Sequence, residues 1–408
     1  MKSKRNSEFS ESGIIKRWEV MVMNIRVKSI PEEYYLDYRL DVIFEGYKWD
    51  LQAGEQSTIS DKVVLLEQEE MSFLADSAVK LYQETIALER ALQKNPELVL
   101  EMGISQKMTD ALCSCDYNAE KHVRFMRFDF HPTTSGWKIS EVNSDVPAGY
   151  PEASILPTLA QPYFEGYRQF GHFGNILVDR LTSLIPLGST IAYLHDTQII
   201  EDYQILHYLS DLMEEKGFKS MFAACSNLQW VDNHALGIDG IVRYFPVEWL
   251  EFTEGVDWIS FINSKTTSCN HPIALLTQSK RLPLIWDKLG VEVPTWKKLL
   301  PETKCTNSLN QDKDWILKPA FGRVGEGINV PGTMSLEEEQ AVYEAADLNP
   351  DQWVAQKVFK SLPIDGMHLT LGVFVVDSEF AGLYARGSAK PRIDSDASEI
   401  PVLVRGGR

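Results

Sequence analysis

Between Ser72 and Gln93 apolar residues return every three or four positions, with Leu74, Ala78, Leu81, Tyr82 and Ile86 on one stripe and Asp76, Lys80 and Glu84 elsewhere. That period predicts an amphipathic helix packed on a core. From Val123 to Asp145 (VRFMRFDFHPTTSGWKISEVNSD) the period changes to two and predicts two strands around a turn. With Pro132 to Gly136 as the loop, His131 pairs with Trp137, Arg127 falls opposite Glu141, and Asp129 lies diagonal to Glu141. This register places Phe125, Arg127, Asp129, Trp137, Ile139, Glu141 and Asn143 on one face, and Met126, Phe128 and Phe130 on the other. A loop follows (VPAGYPEAS) and leads into a helix near Glu152.

Beyond Gly174 the pattern alternates. Thr190–His195 reads as a buried strand, Ile199–Lys216 as an amphipathic helix ended by Gly217, and Ser220–Cys225 and Ile238–Phe245 as further strands. Strand, helix and strand with short links predict a small parallel α/β layer. Trp249 and Trp258 are expected in its core. A short helix is predicted over Leu284–Leu289 and an acidic one over Ser335–Ala346. Trp315–Leu317, Trp353–Val358, His368–Val376 and Ala381–Arg386 read as strands, the last two joined by Asp377-Ser378-Glu379, with Glu399–Val404 tucked under their sheet. In residues 1–65 the pattern is weaker: Tyr34, Tyr35 and Tyr38 form an aromatic cluster, and Tyr47, Trp49 and Leu51 alternate like a strand.

Composition narrows the class. The 408 residues, 44% of them hydrophobic, suffice for a large core and two or three domains. A net charge of −18 argues against a nucleic-acid partner. The N-terminal apolar runs are too short for a signal peptide or a membrane span, so a cytosolic protein is expected. Five scattered cysteines, with only Cys113 and Cys115 close together, give neither a zinc spacing nor a disulfide framework. His195, His207 and His234 lack metal-ligand spacing and read as structural or surface residues.

The candidate chemistry lies in three stretches. Asp129, Glu141 and Asn143 form a hard-oxygen set suited to Mg²⁺, with Arg127 beside them to hold a phosphate or carboxylate; the alternative is an ordinary cross-strand ion pair. In DWILKPAFGRVGEGINV, a strand ends in Lys318 and a loop follows with Gly322, Arg323 and Gly325. Glycines let backbone amides approach an anion and the cations supply charge, which reads as a triphosphate clamp or, alternatively, as a hairpin with a glycine-rich tip. Lys280, next to Arg281, lies between an apolar segment and Pro283, within reach of the same phosphates.

RFDF, then Glu141-x-Asn143-x-Asp145, SKRLPLIW, LKPAFGRVGEGINV, VAQKVFKSLP and YARGS with a closing EIPVLV occur in that order from about Ser72 to Val404. In this order they resemble the synthetase domain of the glutathionylspermidine synthase family, a branch of the ATP-grasp ligases. The resemblance implies an α/β (α+β) protein, an ATP-grasp fold with an inserted pre-ATP-grasp-like α/β domain. The expected division is 1–175 and 291–408 for the ATP-grasp unit and 176–290 for the insertion.

It implies ATP and Mg²⁺ as cofactors and the coupling of a carboxylate donor to an amine acceptor through an acyl phosphate. By position, Arg127 would contact the transferring phosphate and Arg386 would stabilise the transferred charge. Asp129, Glu141 and Asn143 would hold Mg²⁺, while Lys280 and Lys318 would grip the nucleotide phosphates. Gly322, Arg323 and Gly325 would cover those phosphates, and Gln356 would read the adenine edge. Two departures are visible. Val146-Pro147-Ala148-Gly149 stands where the relatives tend to carry serine or threonine for a peptide substrate, which disfavours glutathione. No Cys/His pairing suggests the amidase of bifunctional members. A phosphotransferase on the same nucleotide site and a non-catalytic nucleotide-binding module are the competing readings.

Overall fold

A computed structural model describes residues 23–49, 52–53, 56–308, 314–322, 328, 333–394 and 396–406. The alternating stretch forms the hairpin of Phe125–Thr133 (β1) and Gly136–Asn143 (β2). His368–Val376 (β3), Glu379–Ser388 (β4) and Ser398–Ile400 (β5) complete an antiparallel sheet in the spatial order β5-β4-β3-β1-β2. The connection between β3 and β4 is the two-residue turn Asp377-Ser378, both at positive φ, which matches the twist of a tight hairpin.

The long helix Gln68–Leu92 (α1) runs under this sheet. Its stripe of Leu74, Ala78, Leu81 and Leu88 packs in one core with Phe128, Phe130, Leu371, Val373 and Leu383. The other face is covered at one end by Tyr150, Phe173 and Leu177, which pack on Phe125, Phe374 and Tyr384. Elsewhere that face is polar.

The hairpin register differs from the expected one. His131 pairs with Lys138 and the loop shortens to Thr134-Ser135. Phe128 pairs with Val142 and Phe130 with Ile139, so Ser140 and Glu141 together stand opposite Asp129. This is a β-bulge, and it reverses the alternation of β2 at that point. Trp137 and Ile139 therefore join Phe128 and Phe130 in the α1 core. Asn143, not Glu141, is the partner of Arg127.

The expected parallel layer is present, with strand order Thr267–Cys269, Gly240–Arg243, Thr190–Leu194 and Lys219–Ala223. Asn270 fastens it to the central sheet: its side chain accepts from Phe125 N and donates to the carbonyls of Phe125, Ser144 and Asp145. A fully buried Arg243–Asp145 ion pair adds a second tie.

A three-stranded sheet of Thr303–Lys304, Trp353–Lys357 and Trp315–Pro319 carries the helix Leu336–Leu348, whose start is closed by a Ser335/Glu338 capping box. The predicted C-terminal strand is split. Pro401 lacks an N–H for the ladder, and Val402–Arg405 leaves the central sheet to pair with Lys62–Leu66 and Tyr167–Arg168.

Smaller expectations also change. Leu282–Leu284 and Trp286–Leu289 are short 3-10 turns, and the helix expected near Glu152 starts at Ile155. Tyr47 and Trp49 lie outside any strand, with Tyr47 at φ 58°, while Leu51 lies outside the described residues. Trp249 is 42% exposed, because its short helix Val247–Leu250 turns Val247 and Leu250 inward instead. No helix among the described residues is long and apolar enough to cross a membrane.

Candidate active site

Pairing across five strands arranges the polar face of the central sheet in rows. Asn143, Arg127, Phe374 and Gly382 form one row. Asp129, Gly372 and Tyr384 form the next, with Glu141 beside Asp129 at the bulge. Thr370, Arg386 and Glu399 form the third.

Arg127 and Asp129 are two apart on β1 and share a face, which permits a bidentate pair. Nε donates to Oδ1 at 2.7 Å and one terminal nitrogen donates to Oδ2 at 2.9 Å. The other terminal nitrogen donates to the carbonyl of Ala148 at 2.8 Å and to the hydroxyl of Tyr384 at 3.0 Å. Burial alone would weaken the arginine's charge, but Asp129 outweighs it and raises the pKa. Asn143 Nδ2 donates to Asp129 Oδ2 at 3.1 Å.

Glu141 faces two lysines from other parts of the chain. Lys280 Nζ lies 3.1 Å from Glu141 Oε2 and 2.6 Å from the carbonyl of Gly322, at the base of the glycine loop. Lys318, on the strand leading into that loop, donates to the carbonyl of Ser140 at 3.2 Å and to Gln356 Oε1 at 2.8 Å. Burial would raise the Glu141 pKa, but Lys280 and Lys318 overcome it and hold the carboxyl at about 2. Lys318 is pushed down to about 8 by burial, which Lys280 reinforces and Glu141 opposes. A buried lysine with a weakened proton is a group whose charge an arriving anion would restore.

Arg127, Asp129, Glu141, Asn143, Lys280, Lys318, Gly322 and Gln356 thus come together. Gln356 is buried against Lys318, and its Nε2 donates to Thr303 Oγ1 at 3.3 Å. Arg386 stands one row away, half-buried, and donates to the carbonyl of Asp394 at 2.5 Å. Arg323 and Gly325 lie outside the described residues.

Further residues belong to this face. Tyr384 alternates with Gly382 and Arg386 along β4 and so shares their face. His131, held neutral with a pKa near 3 by burial and by Lys318, bridges Ser140 Oγ at 2.9 Å and Thr370 Oγ1 at 3.2 Å and so pins the bulge. Beside Arg386, Lys48 Nζ lies 2.6 Å from Glu399 and 3.0 Å from Glu152. Burial and the neighbouring Glu399 push Glu152 up to about 8, while Glu399 is lowered, so the two carboxyls share one proton. No sequence signal links these three residues.

The family model of the glutathionylspermidine synthase preATP-grasp domain matches residues 36–405. The chain belongs to this family. A search of curated protein sequences returns no match. Among solved structures, a glutathione synthetase-like effector from Globodera pallida in its apo form superposes with a TM-score of 0.60 at 13% identity, over 92% of this chain and 99% of that one. At that identity the likeness shows the fold, which is α/β of the glutathione synthetase-like ATP-grasp type. A gamma-glutamylcysteine synthetase-like protein from Methylobacillus flagellatus aligns over 76% of this chain and 84% of its own, with 10% identity and a TM-score of 0.43.

Asp129 and Glu141 supply two charged oxygen ligands and Asn143 an amide oxygen, the donor set Mg²⁺ takes together with substrate phosphates. Asp129 accepts from Arg127 on both oxygens and from Asn143 on Oδ2, and it still offers a lone pair from Oδ1. The low pKa of Glu141 keeps it ionised at every pH where the protein would work. The residues therefore fit a magnesium ion.

Proposed function

We propose that this glutathionylspermidine synthase family member is an ATP-dependent carboxylate–amine ligase, active in the cytosol on small-molecule substrates. The observation that carries the reading is the meeting, on one sheet face, of a clamped arginine–carboxylate pair with a two-lysine, one-carboxylate cluster at the base of a glycine loop. Cations converging on one point suit a polyphosphate, and Arg127 and Arg386 on the same face suit charge moving toward an acceptor.

An amide does not form from a carboxylate and an ammonium in water without coupling. In the reading proposed, a donor carboxylate oxygen attacks the γ-phosphorus and ADP leaves. The amine nitrogen, having lost its proton, then attacks the acyl carbon, and phosphate leaves. Lys280 and Lys318 hold the phosphates, Arg127 meets the group in transfer, Arg386 the charge that develops, and Gln356 the adenine. The loop residues Gly322, Arg323 and Gly325 cover the nucleotide. Magnesium, held by Asp129, Glu141 and Asn143, would neutralise phosphate oxygens. The segment Val146 to Gly149, whose Ala148 carbonyl accepts from Arg127, carries no hydroxyl side chain, which disfavours glutathione as the donor.

The test is phosphate release from Mg-ATP with a panel of amino acids and short peptides crossed with polyamines and other amines, followed by mass spectrometry. Release that needs both partners, with a product lighter than their sum by one water, supports the ligase. A phosphorylated product made from one partner alone would replace it with a phosphotransferase.

A further inference from the structure

Strands two apart in a sheet are roughly 10 Å apart, so side chains on β1 and β4 do not ordinarily touch across β3. Arg127 and Tyr384 do touch, and the reason is the residue between them. Gly372 stands in the row between Asp129 and Tyr384. A Cβ at Gly372 would lie 2.8 Å from both Arg127 Cδ and Tyr384 Cε1. A Cβ at Gly149, which has φ +103°, would lie 2.5 Å from the same Tyr384 Cε1. Two glycines thus form a slot, and in it the tyrosine ring leans over the arginine, with the guanidinium carbon 5.7 Å from the ring centroid.

We infer that Tyr384 is a positioning residue for Arg127. A guanidinium has five N–H groups. Among the described residues, Asp129 takes two, the Ala148 carbonyl one and the Tyr384 hydroxyl one. One hydrogen, on the nitrogen that also bonds Asp129 Oδ2, is left for a ligand. Without the hydroxyl, a second N–H on the far nitrogen is released, and on that side the Ala148 carbonyl alone is left to hold the guanidinium's direction. The contribution of the tyrosine is to the direction of the arginine.

The kinetic consequence rests on the ligase reading, while the placement does not. Two measurements on the full-length protein keep them apart. Arginine side-chain ¹⁵N NMR on the wild type should show the Arg127 terminal nitrogens as separate, slowly exchanging signals, and Tyr384→Phe should average them. With a productive substrate pair, Tyr384→Phe should lower kcat roughly tenfold, the loss of one charge-assisted hydrogen bond, and leave KM for ATP within about twofold. In an Arg127→Lys background the same change should have little further effect. Gly372→Ala, which fills the slot and leaves the hydroxyl, should reproduce the kcat loss.

Equal rotation in wild type and Tyr384→Phe would overturn the inference, as would an unchanged kcat. If no substrate pair turns over, the ligase reading fails and the NMR comparison alone decides the placement.

Discussion

Two buried arginines three residues apart, Arg124 just before β1 and Arg127 on it, are each paired with a carboxylate, and they point to opposite faces. Arg124 faces the α1 side, where Glu89 takes Nε at 3.2 Å and a terminal nitrogen at 2.8 Å. The carbonyls of Phe125 and Ser144 and, at 3.4 Å, Thr277 Oγ1 take the rest, so all five N–H groups are spent on the protein. Arg127 spends four on the protein. A buried ion pair and a raised pKa are common to both. What separates a structural arginine from a candidate functional one here is a single N–H and a cleft for it to face. Burial and charge by themselves would have marked both.

The largest effect should come from breaking the first pair. Arg124→Met leaves Glu89 buried and uncompensated, and the expected loss is about 3–5 kcal/mol of unfolding free energy. Arg127→Met should cost only about 1–2 kcal/mol, since Asp129 keeps the Asn143 amide and faces the cleft. Denaturant unfolding measures both. Equal losses would erase the distinction between the two arginines.

On the site side, Asp129→Ala and Glu141→Ala should each reduce Mg-ATP-dependent turnover by at least about a hundredfold while the melting temperature moves by a few degrees. A collapse of the fold in Asp129→Ala would reduce Arg127–Asp129 to an ordinary structural ion pair within β1.

This contrast also shows what the sequence made legible. Alternation placed Arg127 and Asp129 on one face and Phe128 and Phe130 on the other, because a strand's period is fixed at two. It did not disclose the bulge at Ser140 and Glu141, since Trp137 and Ile139 are apolar whichever face they take. The conclusion that Glu141 and Asn143 share the face of Arg127 survived, whereas the pairing used to reach it did not. Lys318 and Lys280 were read from the glycine-rich stretch and the cations around it, Gln356 came through the family pattern, and none of the three through a period. The grouping of Lys48, Glu152 and Glu399 had no signal, for it joins three distant segments by packing alone.

Lys318 sharpens the comparison in another way, as a cation without a dedicated carboxylate. Its pKa near 8 means that its charge is complete below that pH and lost above it. Affinity of the free protein for Mg-ATP should therefore weaken as pH rises through about 8. Lys318→Met should bind roughly tenfold more weakly at pH 7 and lose that pH dependence, readable by calorimetry. Unchanged affinity would remove Lys318 from the phosphate site.

The smallest effect concerns the shared proton of Glu152 and Glu399. Glu152 titrates near 4.5 when unfolded and near 8 when folded, so the folded state holds an extra proton across that window. Its contribution to stability is complete below the unfolded value and is lost as pH rises through about 8. Lys318 acts with the opposite sign, because its depressed pKa makes the unfolded state bind more protons between about 8 and 10.5. The wild-type melting curve from pH 7 to 9 mixes the two, and only a difference between variants separates them. Glu152→Gln keeps a neutral hydrogen-bonding group beside Lys48 and Glu399 and needs no proton to do so. Relative to wild type, its melting temperature should therefore rise as pH goes from 7 to 9. A constant difference over that range would mean that the proton is not held by this pair, and that Lys48 neutralises both carboxylates unaided.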